Sequence, residues 1–409
     1  MPAAPALDEV VPAVRAGGGR AAALVEPGDD LQAELLHRHQ RQVPRPEAEG
    51  LHVPQVAGAS RAVAGGDRRD PPDGRKPRPR DQRGGGGGLR VPPVRPVTSW
   101  FTSWPESAPG GLDPKVKAAL EAQGPAPDYR SQGPALVRSN FNALAAMVPK
   151  PQERLAAVEN GEIVPGLRVR LYRPEGEGPF PTCLFFHGGG WVVGDLESHD
   201  HVCRSLASRG GAVVVNVDYR LAPEHRHPTA LDDCRTALRW VESHAKDLEG
   251  DASRISVCGD SAGGHLAAAL AIRVRDEGGP RIASQLLIYP VTDRNFETVS
   301  YREYASGFGL TRANMQWFWD CYYPSAELDS TVAPLRTKDL KGLPPATVIT
   351  AEYDVLRDEG EAYARRLHKE GVAVRGTRFL GMNHGFIRLA AVYPQADRAL
   401  TDLAVALRG

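Results

Sequence analysis

The chain has 409 residues, 41% of them hydrophobic, which is enough for a full core and, on length alone, for two or three domains. Lys and Arg number 50 and so do Asp and Glu, so the formal net charge is zero and nothing calls for nucleic acid or an anionic membrane. There is no run of about 18 apolar residues and no basic segment leading into an apolar core at the N-terminus, so neither a transmembrane helix nor a secretory signal is expected.

Residues 1–98 differ from the rest. Pro, Gly, Arg and Ala dominate, Lys76 is the single lysine, and no aromatic residue occurs before Trp100. A glycine run covers Gly84 to Gly88, and Arg75-Lys76-Pro77-Arg78-Pro79-Arg80 is basic and broken by proline. Such a segment offers too little apolar surface to offset its ordering entropy. It is read as a disordered extension, translated upstream of the true start, in preference to a regulatory or nucleic-acid-binding arm.

Residues 99–160 are expected to supply N-terminal cap helices. Asp113 followed by Pro114 is an N-cap with proline at the first helical position, and Gly124 ends that helix. Pro134 to Met147 is a second amphipathic candidate. From 161 to 409 strands and helices alternate. Leu167, Val169 and Leu171 alternate with Arg168 and Arg170 as a half-exposed strand. Thr182–Phe186 and Ala212–Val217 read as buried strands, and Leu231, Cys234, Leu238 and Val241 recur at helical spacing. Arg254–Cys258 and Gln285–Tyr289 are further strands. An aromatic-rich insertion at about 296–343 breaks the alternation, and its Trp317–Tyr323 rings are read as cap core. Ala346–Ala351, a helix over Glu361–Glu370, Val372–Phe379 and a terminal helix over Gln395–Leu407 follow. The order predicts an α/β fold with a mostly parallel, doubly wound sheet.

Between the strand at Arg254–Cys258 and the helix-forming run from His265 lies Gly259-Asp260-Ser261-Ala262-Gly263. A G-x-S-x-G sequence at a strand-to-helix turn holds its serine in a strained conformation at the end of the sheet. A serine hydroxyl needs a base to take its proton, and that base needs an orienting group. Asp354 and then His384 follow along the chain, each just beyond a predicted strand, on the same edge of the sheet as Ser261. Ser261 is assigned as nucleophile, His384 as general base and then acid, and Asp354 as orienter, with Glu352 and Asp358 as rival acids. His187-Gly188-Gly189-Gly190 ends an earlier strand, where glycines let backbone N–H groups approach a substrate oxygen. Gly188, Gly189, Gly190 and Ala262 are therefore candidate oxyanion-hole donors, without a choice among the glycines.

These residues resemble the hormone-sensitive-lipase-like family of α/β-hydrolases, the bacterial family IV HGGG carboxylesterases. His187–Gly190, Gly194-Asp195, Asp218–Glu224, Gly259–Gly264, Asp354–Gly360 and His384-Gly385-Phe386 match its blocks in order and spacing, over the chain from about Leu112 onward. The resemblance implies an α/β-hydrolase fold with a two-part helical cap, serine carboxylesterase activity on short- to medium-chain esters, and no cofactor or metal. An N-acetyl or amide hydrolase, or an acyltransferase, would use the same triad. A ligand-binding receptor on this fold would be expected to lack one of its members. The expected partners are a small-molecule ester and a second copy of the chain as a homodimer, with no nucleic acid and no stable membrane insertion. Cys183, Cys203, Cys234, Cys258 and Cys321 are odd in number and lack C-x-x-C spacing, which reads as reduced thiols of a cytoplasmic protein.

Overall fold

The computed structural model describes residues 111–150 and 152–409. The expected disordered extension over residues 1–98 lies outside the described residues. Among the described residues a sheet of eight strands runs in the order β1-β2-β4-β3-β5-β6-β7-β8. Here β1 is Ala157–Val164, β2 Leu167–Arg173, β3 Phe180–Phe186, β4 Val213–Asp218, β5 Gly250–Asp260, β6 Ser284–Ile288, β7 Ala346–Tyr353 and β8 Val374–Asn383. The pairs β1–β2 and β2–β4 are antiparallel, and all the other pairs are parallel. The parallel strands end on one edge, so the segments after β3, β5, β7 and β8 gather there.

The central strands of the sheet are buried on both faces, and the period of two sorts their side chains between two cores. Leu184 and Phe186 of β3, Val215 and Val217 of β4, and Ile255 and Val257 of β5 point into one. Cys183 and Phe185, Val214, and Cys258 point into the other. Helices α4 (Thr229–Ser243), α5 (Ala262–Glu277) and α8 (Arg357–Lys369) cover the first face. Helices α3 (Asp200–Gly210) and α9 (Pro394–Arg408) cover the second. Within α5 every residue from Ala262 to Ile272 is buried, because its alanines and glycines let the helix lie close on β3 and β5.

Among the described residues two helices precede the sheet. In α1 (Pro114–Gln123), Asp113 accepts from the Lys115 N–H at 2.8 Å and Gly124 takes φ 68°, as the capping residues predict. Element α2 (Tyr129–Met147) opens with one turn under an Asp128 cap, and a kink at Gly133 (φ 73°) separates that turn from the helix that the sequence suggests from Pro134 to Met147. The division at 160 falls inside β1, so the sheet begins at Ala157. That strand escapes sequence reading because it is a half-exposed edge carrying an Asn160-Gly161 pair that signals a turn. Helix α3 escapes it too: its apolar residues sit among His, Arg and Ser, and His199 at its start forms no capping bond.

The insertion between β6 and β7 holds α6 (Val299–Glu303) and α7 (Arg312–Tyr322). Helices α7 and α2 pack together. Tyr129 meets Trp317 and Phe318 edge-on at ring distances of 5.6 and 5.5 Å, and Arg130 pairs with Asp320 at 2.5 Å. Trp317, Phe318, Trp319 and Tyr322 are buried, and Trp319 and Tyr322 pack against Trp191.

Candidate active site

Ser261 sits between β5 and α5 with φ 56° and ψ −117°, a conformation that costs energy for any side chain. Two close approaches hold it there. A Cβ on Gly259 would lie 2.4 Å from the Gly263 backbone, and one on Gly263 would lie 1.8 Å from the Phe186 carbonyl oxygen. Only glycine fits at either position, so both glycines of the motif are required by packing. The Ser261 amide donates to the Ile288 carbonyl at 2.8 Å, which ties the turn to β6.

The residues expected to act with Ser261 are brought to it. His384 Nε2 is 3.0 Å from Ser261 Oγ, and His384 Nδ1 is 2.7 Å from Asp354 Oδ2. A carboxylate only accepts, so Nδ1 carries the ring proton and Nε2 is left bare toward the serine hydroxyl. Asp354 is buried, and its other oxygen accepts from the Leu356 N–H at 3.0 Å. The rival acids are engaged elsewhere. Glu352 accepts from the Gly381 N–H at 2.7 Å, and Asp358 accepts from the Ser300 N–H at 2.8 Å and pairs with Arg357.

The loop after β3 faces the serine from the other side. Here the set of candidate donors narrows. The Gly188 N–H already donates to Asp260 Oδ1 at 2.7 Å, so it is not free to meet a substrate oxygen. The amides of Gly189, at φ 126°, and Gly190, at φ 57°, have no acceptor among the described residues. The Ala262 amide at the start of α5 has none either.

Sequence reasoning assigned no role to Asp260, although it lies inside the motif. It is buried beneath this loop, 3.2 Å from His199 Nε2 in a poorly aligned contact, and its second oxygen accepts from the Tyr289 hydroxyl at 3.3 Å. Burial raises its carboxyl pKa, but His199, Arg388 and the Gly188 N–H outweigh that and hold it at about 2. Trp191 next in the loop was also missed. Its ring stacks on Tyr322 at 4.2 Å, and its Nε1–H donates to His265 Nδ1 at 3.2 Å. His265 Nε2 in turn donates to the Val332 carbonyl at 3.0 Å. The Phe318 ring closes on Gly190, since a Cβ there would stand 2.2 Å from it. Neither link has a local signal, because each joins segments far apart in the chain.

Comparison with known proteins agrees with this geometry. A family described as alpha/beta hydrolase fold matches residues 183–388. Carboxylesterase NlhH of Mycobacterium tuberculosis is 39% identical over 306 residues, covering 72% of this chain and 95% of that protein. Ethyl acetate hydrolase of Pseudomonas putida is 42% identical over 250 residues, covering 59% of this chain and 78% of that one. The hyperthermophilic esterase of the archaeon Pyrobaculum calidifontis superposes with a TM-score of 0.69 at 40% identity, over 73% of this chain and 98% of that one. The chain therefore belongs to the α/β-hydrolases and, within them, to the hormone-sensitive-lipase-like carboxylesterases whose sequence blocks it carries.

Proposed function

We propose that this chain is a serine carboxylesterase in which Ser261, His384 and Asp354 hydrolyse short- to medium-chain carboxylic esters. The observation that carries the reading is the continuous relay from Ser261 Oγ through His384 to Asp354. Ser261 Oγ attacks the ester carbonyl carbon while His384 Nε2 takes its proton. The oxyanion that forms is met by the amides of Gly189, Gly190 and Ala262. Collapse expels the alcohol, which takes the proton from His384, and leaves an acyl-serine. Water, deprotonated by His384, then releases the acid and restores the serine. Asp354 holds the imidazole in the required tautomer throughout.

The relatives named as carboxylesterase and ethyl acetate hydrolase favour ester over amide substrates. The restriction to shorter acyl chains is supported by Phe318 against Gly190 and by α2 and α7 packed together beside the oxyanion loop, which together form the proposed two-part cap. No helix among the described residues is long and apolar enough to cross a membrane. A cytoplasmic location is supported by five buried cysteines, none of them in a disulfide.

Turnover of 4-nitrophenyl esters of rising acyl length, together with labelling by a serine-reactive phosphonate, tests the reading. The expected result is highest kcat/KM on acetate to hexanoate and a single adduct on Ser261. An adduct on another residue, or no ester turnover by folded protein, would overturn it.

A further inference from the structure

Arg388 lies four residues beyond His384, in the short turn Phe386–Leu389. Its side chain folds back toward the histidine: Nη2 stands 3.4 Å from where a Cβ on Gly385 would be. The guanidinium carbon is 4.8 Å from the centre of the Phe141 ring, on α2. Helix α2 is also the element that grips the oxyanion loop, through Arg138 to the Val192 carbonyl at 2.7 Å and Asn142 to Asp195 at 3.0 Å. Arg388 therefore bridges the two walls that flank Ser261, the strand end that carries His384 and the helix that holds the glycine loop. Its charge is felt on both sides, lowering the pKa of Asp260 and opposing the rise in pKa of Tyr289 next to His384 and of Tyr129 beside Phe318.

Among the described residues this guanidinium has no carboxylate partner and no hydrogen-bond acceptor for its side-chain nitrogens. Many arginines of the chain behave otherwise: Arg170, Arg209, Arg220 and Arg273 are each tied to one or more acids. A half-buried guanidinium presents a planar fork of donors that a carboxylate satisfies in a bidentate fashion. Among the described residues no group supplies the carboxylate, and the free donors lie on the turn that directly follows His384.

We infer that Arg388 is a specificity-determining residue, and that the enzyme favours esters bearing an ionised carboxylate remote from the scissile bond. The inference rests on the proposed esterase reading and names its substrate class. The carboxylate can belong to the acyl half, as in a half-ester of a dicarboxylic acid, or to the alcohol half, as in an acylated hydroxy acid.

The test compares each charged ester with its methyl-masked neutral partner. For the acyl half the pair is mono-4-nitrophenyl adipate and methyl 4-nitrophenyl adipate. For the alcohol half it is 4-acetoxybenzoate and its methyl ester. The readout is the charged-to-neutral ratio of kcat/KM in wild-type protein, Arg388→Gln and Arg388→Met; Met keeps an apolar stem on Phe141. In at least one pair the ratio should fall roughly tenfold or more in both variants, mainly through KM. Arg388→Lys, which keeps the charge but loses the fork, should fall in between. As a check that needs no variant, 4-hydroxybenzoate should compete with a neutral ester in wild-type protein better than 4-hydroxybenzamide does. Ratios that stay within about twofold of wild type in both pairs would reduce Arg388 to a packing residue and overturn the inference. Equal competition by the two hydroxy compounds, together with unchanged acyl-half ratios, would overturn it as well. Turnover of the neutral esters by wild-type protein reads the esterase proposal separately, so the two can fail independently.

Discussion

The two sides of Ser261 are built on different principles. On one side, His384 and Asp354 follow directly from the ends of β8 and β7; their side chains meet at 2.7 Å, and His384 reaches Ser261 at 3.0 Å. On the other side the proposed donors are backbone amides of Gly189 and Gly190, which no rotamer can aim. They are positioned only if the whole loop is fixed. The protein fixes it from below with Asp260, from the flank with α2 through Arg138, and from outside with the Trp191–Tyr322 stack and Phe318. Side-chain chemistry can be placed locally on a strand end. Backbone chemistry at a loop needs partners from distant segments, which is why the aromatic insertion belongs to this side.

The comparison breaks first on the proton-transfer side. Ser261→Ala should lower kcat by up to about a million-fold, His384→Ala by a similar factor, and the double variant no further, because the residues act as a unit. Single-turnover hydrolysis of a 4-nitrophenyl ester measures this, and additive losses would mean that the relay is not one device. Asp354→Asn keeps the shape but favours the wrong imidazole tautomer, for a loss of roughly ten-thousand-fold. Glu352→Gln and Asp358→Asn should fall far short of that, since these carboxylates serve backbone amides and Arg357. A larger loss from either than from Asp354→Asn would reassign the orienter.

The oxyanion side should break by less and in a way that can be repaired. In Gly190→Ala the new Cβ would meet the Phe318 ring at 2.2 Å, so the loop or the ring has to move. Misplacing one donor should cost about a hundred- to a thousand-fold in kcat. Adding Phe318→Ala opens the space and should recover part of the loss, because αL strain at φ 57° is a smaller cost than the clash. A double variant slower than Gly190→Ala alone would show that Phe318 does more than crowd this glycine.

The same contrast explains what could be read from the sequence. The triad was legible because each member lies at a strand end and the strands announce themselves: Ile255–Cys258 and Ala346–Ala351 are short, mostly apolar runs with β-branched residues, and chain order supplies the rest. The elbow was legible because its glycines are needed by packing that any such turn shares. What holds the glycine loop was not legible. Asp260 to Gly188 spans 72 residues and Trp191 to His265 spans 74, and no local pattern encodes such pairs. Sequence reasoning left the choice among Gly188, Gly189 and Gly190 open for the same reason, since a partner far along the chain occupies one amide. Edge strand β1 and helix α3 were missed through weak local signals, which tertiary packing overrides.

The smallest effect concerns the anchor of that loop. His265 is neutral in the fold: its Nδ1 accepts from Trp191 and its Nε2 donates to Val332, so a second ring proton would confront the Trp191 N–H. Burial, helped by nearby His227, lowers its pKa to about 3. Burial, helped by His199, lowers that of His201 to about 4. An unfolded histidine titrates near 6.5, at about its model-peptide value. The folded values are depressed, so between these limits the unfolded chain binds more protons than the folded one. The stability held by the neutral rings is complete above about pH 6.5 and is lost as pH falls toward the folded values, at up to about 1.4 kcal/mol per unit per histidine. Urea unfolding at a series of pH values from 7 down to 4.5 measures the slope. His265→Gln can keep a donor and an acceptor but has no titrating ring, so its slope should be shallower by about one proton, with some stability lost at pH 7. Asp260, held at about 2, adds little in this window, because it is ionised in the fold and an unfolded aspartate, which titrates near 3.9, is itself mostly ionised there. If the variant kept the full wild-type slope, the acid sensitivity would belong to the other buried histidines. His265 would then be an anchor for Trp191 that acid does not reach before the chain unfolds.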